Sequence, residues 1–163
     1  MRSTSATVTV LILTSACIQR SFGPSGGGTD LSGTWPVNCA ELTLSPGNHA
    51  CTLSGLSFSI RQLDGSVDND VFSAPLTGNY NSFTVACPGE PSQSRPAGTM
   101  SGRFSGHTVT LSLADRSAFN GDVVRPTTSL TLIELQLTAS VPYDNQRTLS
   151  GSCKAGPIET RSR

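Results

Sequence analysis

Charge is what this sequence most lacks. Asp, Glu, Lys and Arg account for 13% of its 163 residues, about half the roughly 25% usual in a globular domain. Lys154 is the single lysine, and acidic and basic side chains cancel to a formal net charge of zero. The arginines are scattered along the chain, so no basic face is expected and nucleic acid is a poor partner. Aromatic residues are also few, at 6%, and Trp35 is the single tryptophan. No apolar run reaches the ~20 residues that a membrane-crossing helix requires. No apolar stripe with a helical period is long enough to predict a helix of any kind. The cysteines include no C-x-x-C pair, which weighs against zinc and thioredoxin-like redox chemistry. No cofactor-binding motif occurs, and no cofactor is expected.

What is present begins with an address. Arg2 supplies one positive charge, Ala6 to Leu13 is a short apolar run without charges, and small residues follow. That order is the signature of a secretory leader. Leu13-Thr14-Ser15-Ala16-Cys17 resembles the lipobox of bacterial lipoprotein signal peptides, in which the cysteine is lipidated and becomes the new N-terminus. Thr14 departs from that pattern, which has an aliphatic residue three places before the cysteine. The resemblance implies a membrane anchor of palmitate-type chains on Cys17, stable because each buried methylene contributes ~0.8 kcal/mol. Ile18, not Asp, follows the cysteine, which in a Gram-negative cell implies the outer membrane. The alternative is an ordinary signal cut near Ser21-Phe22-Gly23, which discards Cys17 and releases the domain. Ser21 to Thr29 is rich in Gly and Ser and reads as a flexible linker. The expected organisation is a leader with its lipidated cysteine over 1–17, a linker over 18–29 and one domain over 30–163. The linker includes Gly23-Pro24-Ser25-Gly26-Gly27, a match to the G-x-S-x-G of hydrolases. That motif needs a strand-to-helix turn to hold its serine, and a glycine linker supplies none.

Roughly 135 residues then remain, enough for one domain with a real core. Cys39, Cys51, Cys87 and Cys153 form an even set in a chain read as exported, which predicts two disulfides. Four cysteines allow three pairings. The favoured one joins Cys39 to Cys51 across a short hairpin and Cys87 to Cys153 between distant strands.

A five-residue pattern recurs: Leu31-Ser32-Gly33-Thr34-Trp35, Leu76-Thr77-Gly78-Asn79-Tyr80, Met100-Ser101-Gly102-Arg103-Phe104 and Leu149-Ser150-Gly151-Ser152-Cys153. In a strand, side chains two apart share a face, so the apolar residue, the glycine and the final residue point inward together. Glycine on that face permits a bend or a close approach by a neighbour, which a coiling sheet needs in order to close. Between these segments, Leu56, Phe58 and Ile60 alternate with polar residues, as do Val109, Leu111 and Leu113, the mark of half-buried strands. Phe83, Val85 and Cys87 form another inward row. In Leu130, Leu132, Ile133, Leu135 and Leu137 the phase slips at Leu132-Ile133, which predicts a β-bulge there. Turns are expected at Pro46-Gly47-Asn48, Asp64-Gly65-Ser66, Pro88-Gly89-Glu90-Pro91, Asn120-Gly121-Asp122 and Tyr143-Asp144-Asn145. The predicted fold is all-β, an antiparallel up-and-down barrel of about eight strands, with a β-sandwich as the alternative.

Gly33-Thr34-Trp35 resembles the G-x-W motif that opens lipocalins and their calycin relatives. Leu76-Thr77-Gly78-Asn79-Tyr80 and Met100-Ser101-Gly102-Arg103-Phe104 are similar to the L-T-G-x-Y strands of avidin-like barrels, and Ser32-Gly33-Thr34-Trp35 to the opening strand of lipocalin-like bacterial protease inhibitors. The resemblance covers strand fragments and implies a barrel. Avidin biotin sites are walled by several tryptophans, and one tryptophan does not build such a wall. By analogy with lipocalins, Arg147 is expected to cover Trp35.

Candidate sites are few. Trp35, Phe58, Tyr80, Phe83 and Phe104 face inward, either as core or as the lining of a pocket for a small apolar ligand. His49 lies two residues from Cys51, but a metal site needs further ligands and a free thiolate. His107 reads as exposed. Asp64, Asp68 and Asp70 share a loop with Gly65 but lack the order of an EF-hand, so no metal is expected. No acid or histidine adjoins a nucleophile in sequence, so no catalytic residue is assigned. Two functions follow: a lipid-anchored envelope barrel that binds a small apolar ligand, or a protein-binding module such as a protease inhibitor or an envelope assembly partner.

Overall fold

A computed structural model gives the fold over residues 29–69, 71–125, 132–159 and 161–162. The leader, Cys17, Ser25 and the linker up to residue 28 lie outside the described residues, as do Asp70 and Leu130.

Among the described residues every helix or strand is a strand. The first half contributes β1 (Thr29–Asp30), β2 (Gly33–Cys39), β3 (Leu42–Ser45), β4 (His49–Ser54), β5 (Ser57–Gln62), β6 (Ser66–Asp68), β7 (Val71–Tyr80) and β8 (Phe83–Ala86). The second contributes β9 (Gln93–Arg95), β10 (Gly98–Ser105), β11 (Thr108–Leu113), β12 (Ala118–Val124), β13 (Leu132–Pro142), β14 (Thr148–Glu159) and β15 (Arg161–Ser162). Eight strands close a ring in the order β2-β5-β7-β10-β11-β12-β13-β14, and β14 pairs back onto β2. Round the ring the strands follow chain order from β2 to β14, the last then pairs with the first, and every pair is antiparallel. The closed barrel expected from the alternation is therefore the one formed, and closure excludes a sandwich.

Strands β3, β4, β8 and β9 lie outside the ring. They prolong β2, β5, β7 and β10 beyond breaks at Ala40-Glu41, Gly55-Leu56, Asn81-Ser82 and Pro96-Ala97. Pairing of β3 with the Thr148 end of β14, then β3–β4, β4–β8 and β8–β9, makes a four-stranded flap continuous with the barrel wall. The aligned breaks crease the sheet. Asn81 replaces lost ladder bonds at the crease: its Oδ1 accepts from the Ser57 N–H and its Nδ2 donates to the Gly55 carbonyl, both at 2.6 Å.

Three of the four pattern glycines, Gly78, Gly102 and Gly151, have the reason the sequence suggested, whereas a Cβ on Gly33 would meet only Ile158 Cδ1 at 3.4 Å. A Cβ on Gly78 would lie 1.9 Å from the Ser59 carbonyl oxygen. The neighbouring backbone occupies the space a side chain would need. Gly121 meets the same condition, 1.8 Å from the Gln136 carbonyl oxygen, and this corrects one expectation. Asn120-Gly121-Asp122 is not a turn but the middle of β12. Asn-Gly is a strong hairpin signal, yet here the glycine admits β13, and Phe119-Asn120-Gly121-Asp122-Val123 is a further copy of the strand pattern. The turn falls earlier, where the Asp115 carboxylate accepts from the Ser117 N–H and hydroxyl, each at 2.9 Å.

The predicted bulge is displaced too. Register shifts between Ile133 and Leu135, opposite Ile158 and Ala155. Two residues of β14, Gly156 and Pro157, face Glu134 alone, so the extra residue belongs to the partner strand rather than to Leu132-Ile133.

The disulfides are Cys39–Cys153 and Cys51–Cys87, not the expected Cys39–Cys51 and Cys87–Cys153. The turn at Pro46-Gly47-Asn48 sets Leu42 opposite Cys51. Cys39 lies beyond the break, directly opposite Cys153 in the β2–β14 ladder. Cys51 and Cys87 adjoin the Thr52–Ala86 pair of β4 and β8. Two such bonds mark a chain that folds in a non-reducing compartment.

The barrel has two ends. One receives the N-terminal segment, with β1 paired to β15, the β5–β7 connection and the β10–β11 turn. Leu31 is completely buried there. Its N–H donates to Gln62 Oε1 at 3.0 Å, Gln62 Nε2 donates to the Thr29 carbonyl at 3.2 Å, and Trp35 Nε1 donates to the Leu31 carbonyl at 2.9 Å. The far end carries the turns after β3, β8, β11 and β13.

Candidate functional site

The five aromatics singled out in the sequence belong to one core cluster. Trp35 and Phe58 are 0% exposed, Phe104 1%, Phe83 2% and Tyr80 4%. Trp35 and Phe58 are thus beyond the reach even of a water-sized sphere. Phe58 meets Phe119 edge-on with centroids 5.2 Å apart, Phe104 meets Phe72 at 6.1 Å, and Tyr80 meets Phe83 at 6.2 Å. Phe119 and Phe72 escaped the sequence reading, Phe119 because its segment was read as a turn. Burial raises the pKa of the Tyr80 hydroxyl, and the Asp115 carboxylate near it adds to the rise.

Glu90, Arg95, Asp115, Arg116, Asp144 and Arg147 come together at the far end, a grouping that sequence spacing does not report. Arg147 follows the β13–β14 turn. Its Nη1 donates to Glu90 Oε1 at 2.6 Å and its Nε to Asp144 Oδ2 at 2.7 Å, while the guanidinium carbon lies 4.9 Å from the Tyr143 ring centroid. Arg147 therefore covers Tyr143 and not Trp35, which sits at the opposite end. The Arg147 hydrogen bond holds the Glu90 carboxyl below its ordinary value. Asp144 is lowered first by the Gln146 N–H and then by Arg147. Both acids raise the pKa of the Arg147 guanidinium in return.

Arg95 on β9 fastens the flap to the same turn. Its Nη2 donates to the Pro142 carbonyl at 2.6 Å, the Tyr143 carbonyl at 3.0 Å and Gln93 Oε1 at 2.9 Å. The free edge of the flap is thereby tied across to β13 by a side chain where the ladder stops. Beside this contact lies an open cleft of about 410 Å³, lined by Arg95, Asp115, Arg116, Pro142 and the turn Tyr143-Asp144-Asn145. Arg116 stands at its rim with φ of 72°, a backbone region in which non-glycine residues are uncommon and which recurs at functional sites.

The remaining sequence candidates are dispersed. His49 is exposed, and the sulfur two residues on is committed to Cys87, so the pair cannot ligate a metal. His107 is exposed, with Nε2 3.8 Å from Asp122 Oδ1. Asp64 and Asp68 lie at the N-terminal end, and no group of three potential metal ligands occurs among the described residues. Comparison of the chain with protein-family models, with curated proteins and with solved structures returns no match.

Proposed function

We propose that this is a lipid-anchored, non-catalytic protein of the bacterial cell envelope that recognises a protein partner with the far end of its barrel. The observation that carries the reading is the packed interior. A small apolar ligand inside the barrel, which the lipocalin and avidin resemblance implies, would have to displace Trp35, Phe58 and Phe104 from the space they already fill. A filled barrel acts through its surface, and the far end sets an open cleft beside the Arg147 ion pairs. The lipobox-like segment supports an anchor at Cys17, and the disulfides support export. The N-terminal segment joins the barrel at the other end, so anchoring through Cys17 turns the far end outward.

Native mass spectrometry of the exported protein tests the interior. The expected mass is that of the polypeptide and its N-terminal modification, less four hydrogens for two disulfides. An apolar molecule that leaves on denaturation would favour the carrier instead. A diacylated N-terminal peptide beginning at Cys17 is expected from the same sample; an unmodified start near Gly23 would remove the anchor. Photo-crosslinkers placed at Asn48 and Asn145 are expected to capture a discrete partner in the native envelope, and crosslinkers at the exposed Val67 and His107 of the other end are not.

A further inference from the structure

We infer that the cleft beside Arg95 binds a single carboxylate, presented as the C-terminus of a peptide segment. This rests on the reading of the far end as the recognition surface and names the chemistry that surface reads.

Both acids of the cleft are already engaged. Asp115 accepts from the Ser117 N–H and hydroxyl, and Asp144 accepts from the Gln146 N–H at 2.9 Å, the Arg147 N–H at 2.8 Å and Arg147 Nε. The two arginines retain spare donors. Arg95 Nε is unpaired but occluded, so the donor that Arg95 leaves to a ligand is Nη1, which makes no hydrogen bond among the described residues. Its Nη2 is fixed by two carbonyls of the β13–β14 turn, so the free N–H does not have to be ordered when a ligand arrives. Arg116 is exposed, and its side chain makes no hydrogen bond or ion pair among the described residues; only its backbone N–H is engaged, by the Leu113 carbonyl. Its left-handed backbone is one that a glycine would adopt without cost. The chain thus keeps a guanidinium at a position where local conformation favours another residue.

Surplus donors call for an oxyanion, and guanidinium groups suit carboxylate and phosphate alike. The balance of charge decides between them. Arg95 and Arg116 are offset by Asp115 and Asp144 in the lining. A phosphate dianion would face two carboxylates with no net positive charge to hold it, whereas a carboxylate brings one charge. Asn145 at the rim offers an amide donor and acceptor to the peptide group behind that carboxylate. A volume of about 410 Å³ lies within the ~300–1,000 Å³ of small-ligand sites.

Titration calorimetry of the whole protein with acetyl-trialanine, its C-terminal amide and inorganic phosphate tests the inference. The free acid is expected to bind at least ten-fold more tightly than the amide or phosphate. R116Q should weaken it ten-fold or more, and R116G should weaken it equally while raising Tm, which separates loss of the donor from loss of fold. Equal binding of acid and amide, tighter binding of phosphate, no binding of the free acid at millimolar concentration, or an unaltered R116Q would each overturn it. Far-end crosslinks that persist alongside any of these results would leave the far-end reading standing. Carboxylate binding without far-end crosslinks would overturn that reading alone.

Discussion

The two ends of this barrel solve the same problem with different chemistry. Each must finish a sheet whose ladder bonds run out. At the N-terminal end the solution is neutral: Leu31 enters the core, the Gln62 amide holds its backbone, and the Trp35 indole takes its carbonyl. At the far end it is ionic: Arg95 ties the flap to the β13–β14 turn, and Arg147 joins two acids across the next gap. Neutral groups in a buried site ask little of pH or salt. Ion pairs at a partly exposed rim respond to both.

Removing the bond between the first and last ring strands should do most damage. With 114 residues between Cys39 and Cys153, losing that disulfide as a double alanine variant is expected to cost about 5 kcal/mol in urea unfolding. The Cys51–Cys87 loop of 36 should cost about 4 kcal/mol by the same relation. Equal losses would show that strain or residual structure, not loop entropy, sets the order.

Next comes Trp35→Ala, which empties the centre of the sealed end and is expected to cost about 3–5 kcal/mol. A cost below 1 kcal/mol would mean that the packed interior collapses or was never tight. Gln62→Leu strands the Leu31 N–H and the Thr29 carbonyl, and about 2 kcal/mol should be lost. Hydrogen exchange should rise around residues 29–35 and stay unchanged at 143–147. A rise at both ends would break the contrast.

Acid should reverse that picture. Glu90 and Asp144 titrate below their ordinary values of 4.5 and 3.8. Their contribution is therefore complete above about pH 4.5 and is lost as pH falls through the lowered folded-state values. Exchange at 143–147 should quicken over that range while Leu31 and Gln62 remain protected. The smallest effect is expected from Arg116→Gly, a gain of about 1 kcal/mol from relief of the left-handed backbone. A loss there would mean that the guanidinium has a structural partner.

Much of the barrel was legible because its rules are local. Alternation in Leu56-Phe58-Ile60 and Val109-Leu111-Leu113 placed strands and faces, since period 2 is visible in six residues. Gly78, Gly102 and Gly151 were legible as sites of close approach; Gly33 has room for a side chain, and at Gly121 a turn signal concealed a strand. Register was not legible. The cysteine pairing turns on which residues the ladders set opposite one another, Leu42 against Cys51 and Cys39 against Cys153, and no spacing rule reports that. The far-end site was hidden for a related reason. Glu90 and Arg147 are 57 residues apart, and Arg95 and Pro142 are 47 apart. Their meeting depends on four turns being stacked at one end, which composition does not encode.

The bond between Cys39 and Cys153 has a consequence for survival outside the cytoplasm. In an up-and-down barrel the seam between first and last strands is where the ring can part. Here the seam is riveted, and a covalent hoop encloses every ring strand from β5 to β13. A protease that nicks one loop within that hoop releases no fragment. The severed chain remains threaded to both sides of the cut, and its strands keep their places in the wall. Such a protein tolerates single cuts in the turns it presents.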